Sequence, residues 1–96
     1  MGKLTPQNTQ QKLGSLRGWE LAGKGAISKQ YTWPSFLEAM KFVNQVAGLA
    51  EQADHHPDIL ISYRKVSLTL STHSEGGLTE KDFELAGTID RECQAS

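Results

Sequence analysis

Three histidines are the residues of this sequence best suited to moving protons near neutral pH. His55 and His56 stand side by side before Pro57, and His73 follows later in the chain. Imidazole exchanges protons in the physiological pH range, so it can act as a general acid or a general base. Asp82 adds a carboxylate to this candidate set. These residue types predict acid–base chemistry but, taken alone, they name no substrate.

A predicted β-hairpin brings the histidines together. Apolar residues alternate with polar ones around 59–63 and again around 66–70, which predicts two strands on either side of a turn near Arg64. Antiparallel pairing about that turn places residues 54–56 opposite residues 71–73. We therefore expect every histidine at one end of one hairpin, beside Asp82 at the start of the last helix.

Each candidate residue also has an ordinary structural interpretation. His55 and His56 could simply end a helix, because a cation near a helix C-terminus is favourable. His73 could be a solvated residue at the end of a strand, and Asp82 could be only the acidic member of a Thr79–Asp82 capping box. A metal site is a further alternative. It is disfavoured because adjacent residues of an extended chain point to opposite faces and no cysteine lies nearby to complete a zinc site.

The remaining pattern predicts one domain over residues 1–96, with elements in the order α-β-β-α-β-β-α. The connections are too short for parallel crossovers, so the fold class is α+β: a four-stranded antiparallel sheet with helices packed on one face. The predicted helices cover 6–16, 35–53 and 79–93. The first two strands surround a turn at Gly23–Gly25, and the second of them covers 26–33.

Three more detailed expectations concern packing. The second helix is predicted to face the core through a stripe of Phe36, Met40, Val43, Ala47 and Ala50. Lys29 is the one charge on the apolar face of its strand and is expected to extend to solvent at a sheet edge. Cys93 is expected in a fraying tail, which argues against a Cys-His nucleophile.

Composition excludes several classes of function. Ten Lys and Arg against eleven Asp and Glu give a net charge of −1, and no basic stripe indicates direct binding of nucleic acid. No apolar run is long enough to cross a membrane. The single cysteine, Cys93, cannot form an internal disulfide, which fits a reducing compartment and predicts a cytoplasmic location.

At the histidine segments the sequence resembles the pterin-4a-carbinolamine dehydratase family. The motif residues stand at the family's spacing: Glu51, His55-His56-Pro57, Tyr63, His73 and Asp82. The resemblance extends over roughly residues 5 to 90 and includes Gly18-Trp19, the 26–33 strand, Phe36 through Ala47, residues 70–73, Gly77-Leu78-Thr79 and Leu85-Ala86.

The resemblance implies a dehydratase without metal or organic cofactor. Such enzymes convert 4a-hydroxytetrahydrobiopterin to quinonoid dihydrobiopterin and water during tetrahydrobiopterin recycling. It also implies homodimers whose sheets join edge to edge, in some members paired into homotetramers. The alternative is a non-catalytic dimerisation or assembly module that binds a protein partner, because some animal and bacterial relatives act in that way.

The resemblance also implies roles for the site residues. His55 and His73 would be the acid–base pair, and His56 would position the carbon that bears the hydroxyl. Asp82 and Glu51 would orient histidines. The substrate pocket would include Asp54, Ser71, Thr72 and Ser74 beside the three histidines. Two positions depart from many relatives: Ile59 stands where an aromatic residue is common, and Ser74 replaces the Glu of animal relatives.

Overall fold

The computed structural model describes residues 2–23 and 25–93, so Lys24 in the predicted first turn lies outside the described residues. The elements follow the predicted order α-β-β-α-β-β-α, with a short 3-10 turn before the last helix. Their bounds are α1 Pro6–Gly14, β1 Glu20–Leu21, β2 Ile27–Thr32, α2 Phe36–Ala53, β3 Asp58–Ser62, β4 Lys65–Leu70, the 3-10 turn His73–Glu75, and α3 Glu80–Glu92.

The four strands form one antiparallel sheet in the order β1-β2-β4-β3. In the β3–β4 hairpin Ile59 pairs with Leu68 and Ile61 with Val66, which is the predicted register. Tyr63 belongs to the turn rather than to β3, since its φ of 62° is left-handed. This hairpin carries residues 71–74 back beside the C-terminal end of α2.

The core lies between one face of the sheet and the helices. Every second residue of β4 is fully buried, whereas the alternate residues are partly exposed. That alternation follows from the period of two along a strand with one face covered. The fully buried β4 side chains join one cluster with residues of β2, α2 and α3; its largest fully buried members are Phe42, Ile27, Leu68, Leu70 and Ile89.

The predicted core stripe of α2 is wrong by about one residue. The buried residues are Ala39, Phe42, Val46 and Ala50, whereas Phe36 is 48% exposed and Ala47 is also exposed. Ala50 alone is shared with the predicted stripe, and Val43 packs against the core from its edge. Apolar residues cover more than one face of this helix, so periodicity by itself did not identify the face that meets the sheet.

The expectation for Lys29 is also wrong. β2 is an inner strand, and the Lys29 ammonium lies 3.1 Å from the Asp90 carboxylate and 4.7 Å from the centre of the Tyr31 ring. Asp90 also accepts hydrogen bonds from Tyr31 Oη at 2.6 Å and from Trp19 Nε1 at 2.9 Å. A carboxylate from α3 therefore holds the lysine on the covered face of the sheet.

Cys93 is not in a fraying tail. Its side chain is 4% exposed, and its backbone N–H donates to Ile89 O at 2.8 Å, which ends α3. Burial raises the pKa of its thiol, with the nearby carboxylates of Glu92 and Asp90 adding to the effect.

In the part of the chain that the structure describes, no helix is both long and apolar enough to span a bilayer.

Candidate active site

One cleft of about 340 Å³ collects the predicted substrate-binding residues. It lies where the C-terminal end of α2 meets the segment that follows β4. The segment after α2 contributes Asp54, His55 and His56. The segment after β4 contributes Ser71 through Ser74, and α3 contributes Lys81. All three imidazoles therefore line a single space, and their proximity depends on the β3–β4 register described above.

His55 is held by a buried carboxylate. Its Nε2 lies 2.6 Å from Asp82 Oδ1, and Asp82 is 0% exposed. The His55 side chain retains 11% exposure, so the imidazole connects the interior to the cleft. Asp82 itself does not line the cleft, and it contacts the His55 imidazole from the buried side.

Two threonines determine how Asp82 is bonded. Asp82 Oδ2 accepts from the Thr79 backbone N–H at 3.0 Å and from the Thr72 hydroxyl at 2.9 Å. Because the single Thr72 proton is used on Asp82, the 2.8 Å bond between the two hydroxyls is donated by Thr79. Thr79 Oγ1 in turn accepts from the Lys81 backbone N–H at 3.3 Å. The predicted capping box is formed between Thr79 and Asp82, each side chain accepting from the backbone N–H of the other residue.

This network assigns the His55 tautomer. Asp82 Oδ2 accepts two hydrogen bonds, an arrangement suited to the ionised carboxylate, which can only accept at Oδ1 as well. The short bond to His55 therefore carries its proton on Nε2. Nδ1 of His55 is then the ring nitrogen without a proton, which can accept one. The same carboxylate that caps α3 thus orients the imidazole.

The end of α2 positions His55 and His56. Asp54 adopts a left-handed conformation with a φ of 52°, and the His55 backbone N–H donates to Ala50 O at 3.1 Å. Pro57 then favours extended backbone at His56, so the two imidazoles diverge. His56 Nε2 lies 3.2 Å from Glu51 Oε1 at the surface. Glu51 is outside the lining of the cleft, and its carboxylate contacts the outer histidine, His56.

His73 reaches the cleft on a 3-10 turn rather than on an extended strand. β4 ends at Leu70, and a bridge between Thr72 and Gly77 closes the turn. Gly76 has a φ of 73°, a conformation that glycine adopts without strain. The bonds that fix His55 and His56 have no counterpart at the His73 imidazole within residues 2–23 and 25–93. His73 is exposed at the rim, next to Ser74.

Sequence reasoning missed two residues of this site. Thr79 was predicted only as a helix cap. Its hydroxyl also bonds to the Thr72 hydroxyl, and the Thr72 proton is thereby directed to Asp82. Lys81 lines the cleft and was assigned no role. Its place directly before Asp82 in the first turn of α3 was the available signal.

No group of three or more His, Cys, Asp or Glu side chains suited to a metal ion occurs among the described residues.

The sequence comparison decides the family. A family model described as Pterin 4 alpha carbinolamine dehydratase matches residues 2–92. The chain belongs to this family. A protein of Koribacter versatilis (strain Ellin345), whose name assigns it provisionally as a pterin-4-alpha-carbinolamine dehydratase, is 51% identical over 87 residues. The match covers 91% of this chain and 92% of that protein.

Two solved structures of pterin dehydratase type share the fold. A transcriptional coactivator/pterin dehydratase from Brucella melitensis is 36% identical with a TM-score of 0.89, over 94% of this chain and 97% of that chain. A pterin dehydratase-like protein identified as a RuBisCO assembly factor in the alpha-carboxysome has a TM-score of 0.69 at 24% identity. It covers 83% of this chain and 94% of its own. The second likeness concerns the fold alone.

Proposed function

We propose that this protein is a 4a-hydroxytetrahydrobiopterin dehydratase that works by histidine acid–base catalysis without a metal or organic cofactor. The observation that carries the proposal is the single cleft lined by all three histidines, with His55 fixed through Nε2 to buried Asp82. Membership of the pterin carbinolamine dehydratase family supports the substrate class. The product would be quinonoid dihydrobiopterin, which returns to tetrahydrobiopterin by reduction.

The reaction needs one proton delivered and one removed. A protonated imidazole donates to the 4a-hydroxyl oxygen, the C4a–O bond breaks, and water leaves. A second imidazole accepts the proton from N5 as the C4a=N5 double bond forms. His55 and His73 are assigned to these two steps, with His56 beside the carbon that bears the hydroxyl. General acid–base catalysis of this kind contributes about 10²–10⁴-fold in rate.

Stopped-flow absorbance tests the proposal directly. Freshly generated 4a-hydroxytetrahydrobiopterin is mixed with buffer, wild-type protein, or the His55→Ala/His73→Ala double variant. We expect wild-type protein to accelerate the decay by at least about 100-fold over buffer and the double variant to lose most of that gain. Circular dichroism of the variant serves as the folding control. A folded wild-type protein that leaves the decay unchanged contradicts the proposal.

A second candidate is a non-catalytic module for dimerisation or assembly. It is favoured by exposed apolar side chains on β3 and at the start of α2, including Leu60 at 68% and Leu37 at 72% exposed. The Brucella melitensis protein is described as a transcriptional coactivator/pterin dehydratase and the carboxysome protein as a RuBisCO assembly factor. Failure of the stopped-flow test by folded protein supports this candidate. Both roles are compatible with one fold, because the apolar surfaces lie apart from the cleft.

The proposed setting is the cytoplasm, as a homodimer or homotetramer. The single cysteine, Cys93, is free and buried, which suits a reducing compartment. The oligomer is proposed from the exposed edge strand β3.

A further inference from the structure

The cleft is lined by an exposed lysine for which the proposed chemistry has no role. Lys81 lines the cleft together with the histidines. It also lines a neighbouring groove of about 650 Å³ that runs between α2 and α3, so its side chain lies at the boundary of the two spaces. The base of this side chain is held in place, because the Lys81 backbone N–H is bonded to Thr79 Oγ1 beside Asp82.

The charges around the cleft leave this ammonium available to a ligand. Among the described residues, the ion pairs are formed by other side chains, including Asp82 with His55 and Glu51 with His56. The one carboxylate in the lining is Asp54. Among the lining side chains, Lys81 carries the one ammonium group, which can only donate hydrogen bonds.

We infer that Lys81 binds the C4 carbonyl oxygen of the pterin and so positions the reacting carbon. This inference rests on the proposed function. The pyrimidinone ring of a pterin has one carbonyl acceptor, on the carbon adjacent to C4a. An ammonium bonded there fixes C4a relative to the imidazoles. Asp54 has the complementary chemistry for the ring N3–H and the 2-amino group. Lys81 exchanges no proton in the elimination, so it is a positioning residue.

The test compares Lys81→Met and Lys81→Arg with Lys41→Met. Lys41 is an exposed lysine on α2 that pairs with Glu38 and is absent from the lining of the cleft, so it controls for the loss of one positive charge. Two quantities are measured: KM and kcat for 4a-hydroxytetrahydrobiopterin, and the Kd for 7,8-dihydrobiopterin as an unreactive probe. Loss of a charged hydrogen bond predicts about a tenfold rise in KM and Kd for Lys81→Met.

The remaining readouts separate positioning from catalysis and from structure. We expect kcat of Lys81→Met to change less than about twofold, as for an interaction made equally in ground and transition states. Lys81→Arg should restore KM and Kd to within about threefold of wild type, because guanidinium is also a cationic donor. Lys41→Met should match wild type throughout.

Other results overturn the inference. Unchanged KM and Kd in Lys81→Met would remove the carbonyl contact, and a fall in kcat alone would indicate proton transfer instead. If wild-type protein binds the probe without accelerating the dehydration, the proposed function fails while the Kd comparison still decides the role of Lys81. If wild-type protein neither binds nor reacts, both are wrong.

Discussion

At the scale of single residues, Asp82 has two structural roles that are usually filled by different side chains. It caps α3 by accepting from the Thr79 backbone N–H, and it fixes His55 through a 2.6 Å bond. A fully buried carboxylate is costly unless its oxygens are bonded. Three donors from protein groups meet that requirement here. The stability of the helix start and the orientation of the proposed catalytic imidazole of His55 are therefore coupled.

Asp82→Asn should separate charge from shape at this position. The amide can still accept at one oxygen, so the cap is partly kept, but its NH₂ group cannot accept the Nε2–H of His55. We expect turnover of the carbinolamine to fall about 10- to 100-fold with little change in KM. The free energy of unfolding should fall by about 1–3 kcal/mol because a charge-assisted bond is lost.

Glu80→Gln is the matched control, because it removes an acidic charge from the same turn at a partly exposed position paired with Lys12. Its turnover and urea midpoint should stay near wild type. An Asp82→Asn protein with full turnover would show that the orientation of His55 is not set by the carboxylate.

At the scale of elements, Asp90 fastens the end of α3 to the sheet. It receives bonds from Trp19 before β1 and from Lys29 and Tyr31 on β2. Partial burial, together with the hydrogen bond to Asp90 and its charge, raises the pKa of the Tyr31 hydroxyl well above its usual value of 10. This contact at one end of α3 complements the Asp82 network at the other.

The raised pKa predicts a loss of stability in alkaline solution. The unfolded chain releases the Tyr31 proton near pH 10, whereas the folded protein retains it, so the contribution of Tyr31 is complete below pH 10 and declines above it. Tyr31→Phe should be less stable than wild type at about pH 8 through loss of the bond to Asp90. Above about pH 10 the difference should shrink. Urea unfolding of both proteins across this range makes the comparison, and a constant difference would contradict it.

The sequence predicted the hairpin better than the helix that packs on it. Alternation in β3 and β4 defines both a face and a register, which is why the histidine segments could be placed opposite each other. On α2 two neighbouring stripes are apolar, and only contact with the sheet selects Phe42 and Val46 over Phe36 and Met40. The bonds from Asp90 join segments far apart in the chain, so no local pattern predicted them.

At the scale of the whole molecule, β3 is an uncovered edge. All five of its residues are exposed, and the adjoining turn places Tyr63 at 79% exposure. The opposite edge, β1, has only two residues. An exposed apolar edge strand offers unpaired backbone groups to a second copy of the chain. These features support the proposed pairing of sheets edge to edge.

Light scattering after size-exclusion chromatography tests this assembly. We expect wild-type protein to elute as a dimer or tetramer and Leu60→Glu to shift toward monomer at micromolar concentration, because a charge is placed on the edge strand. Leu37→Glu alters an equally exposed apolar residue on α2 and should leave strand pairing intact. A monomeric wild-type protein, or dissociation by Leu37→Glu alone to monomers, contradicts association through β3.

The double use of Asp82 has an evolutionary consequence. A relative without the proposed dehydratase reaction would still use a carboxylate at position 82 to begin α3 and to bond Thr72. Retention of that aspartate is therefore weak evidence that a relative is an enzyme. His73 is the informative position: it lies exposed on the rim, and within residues 2–23 and 25–93 no side-chain bond of the kind made by His55 constrains it. Relatives released from catalysis should diverge there first.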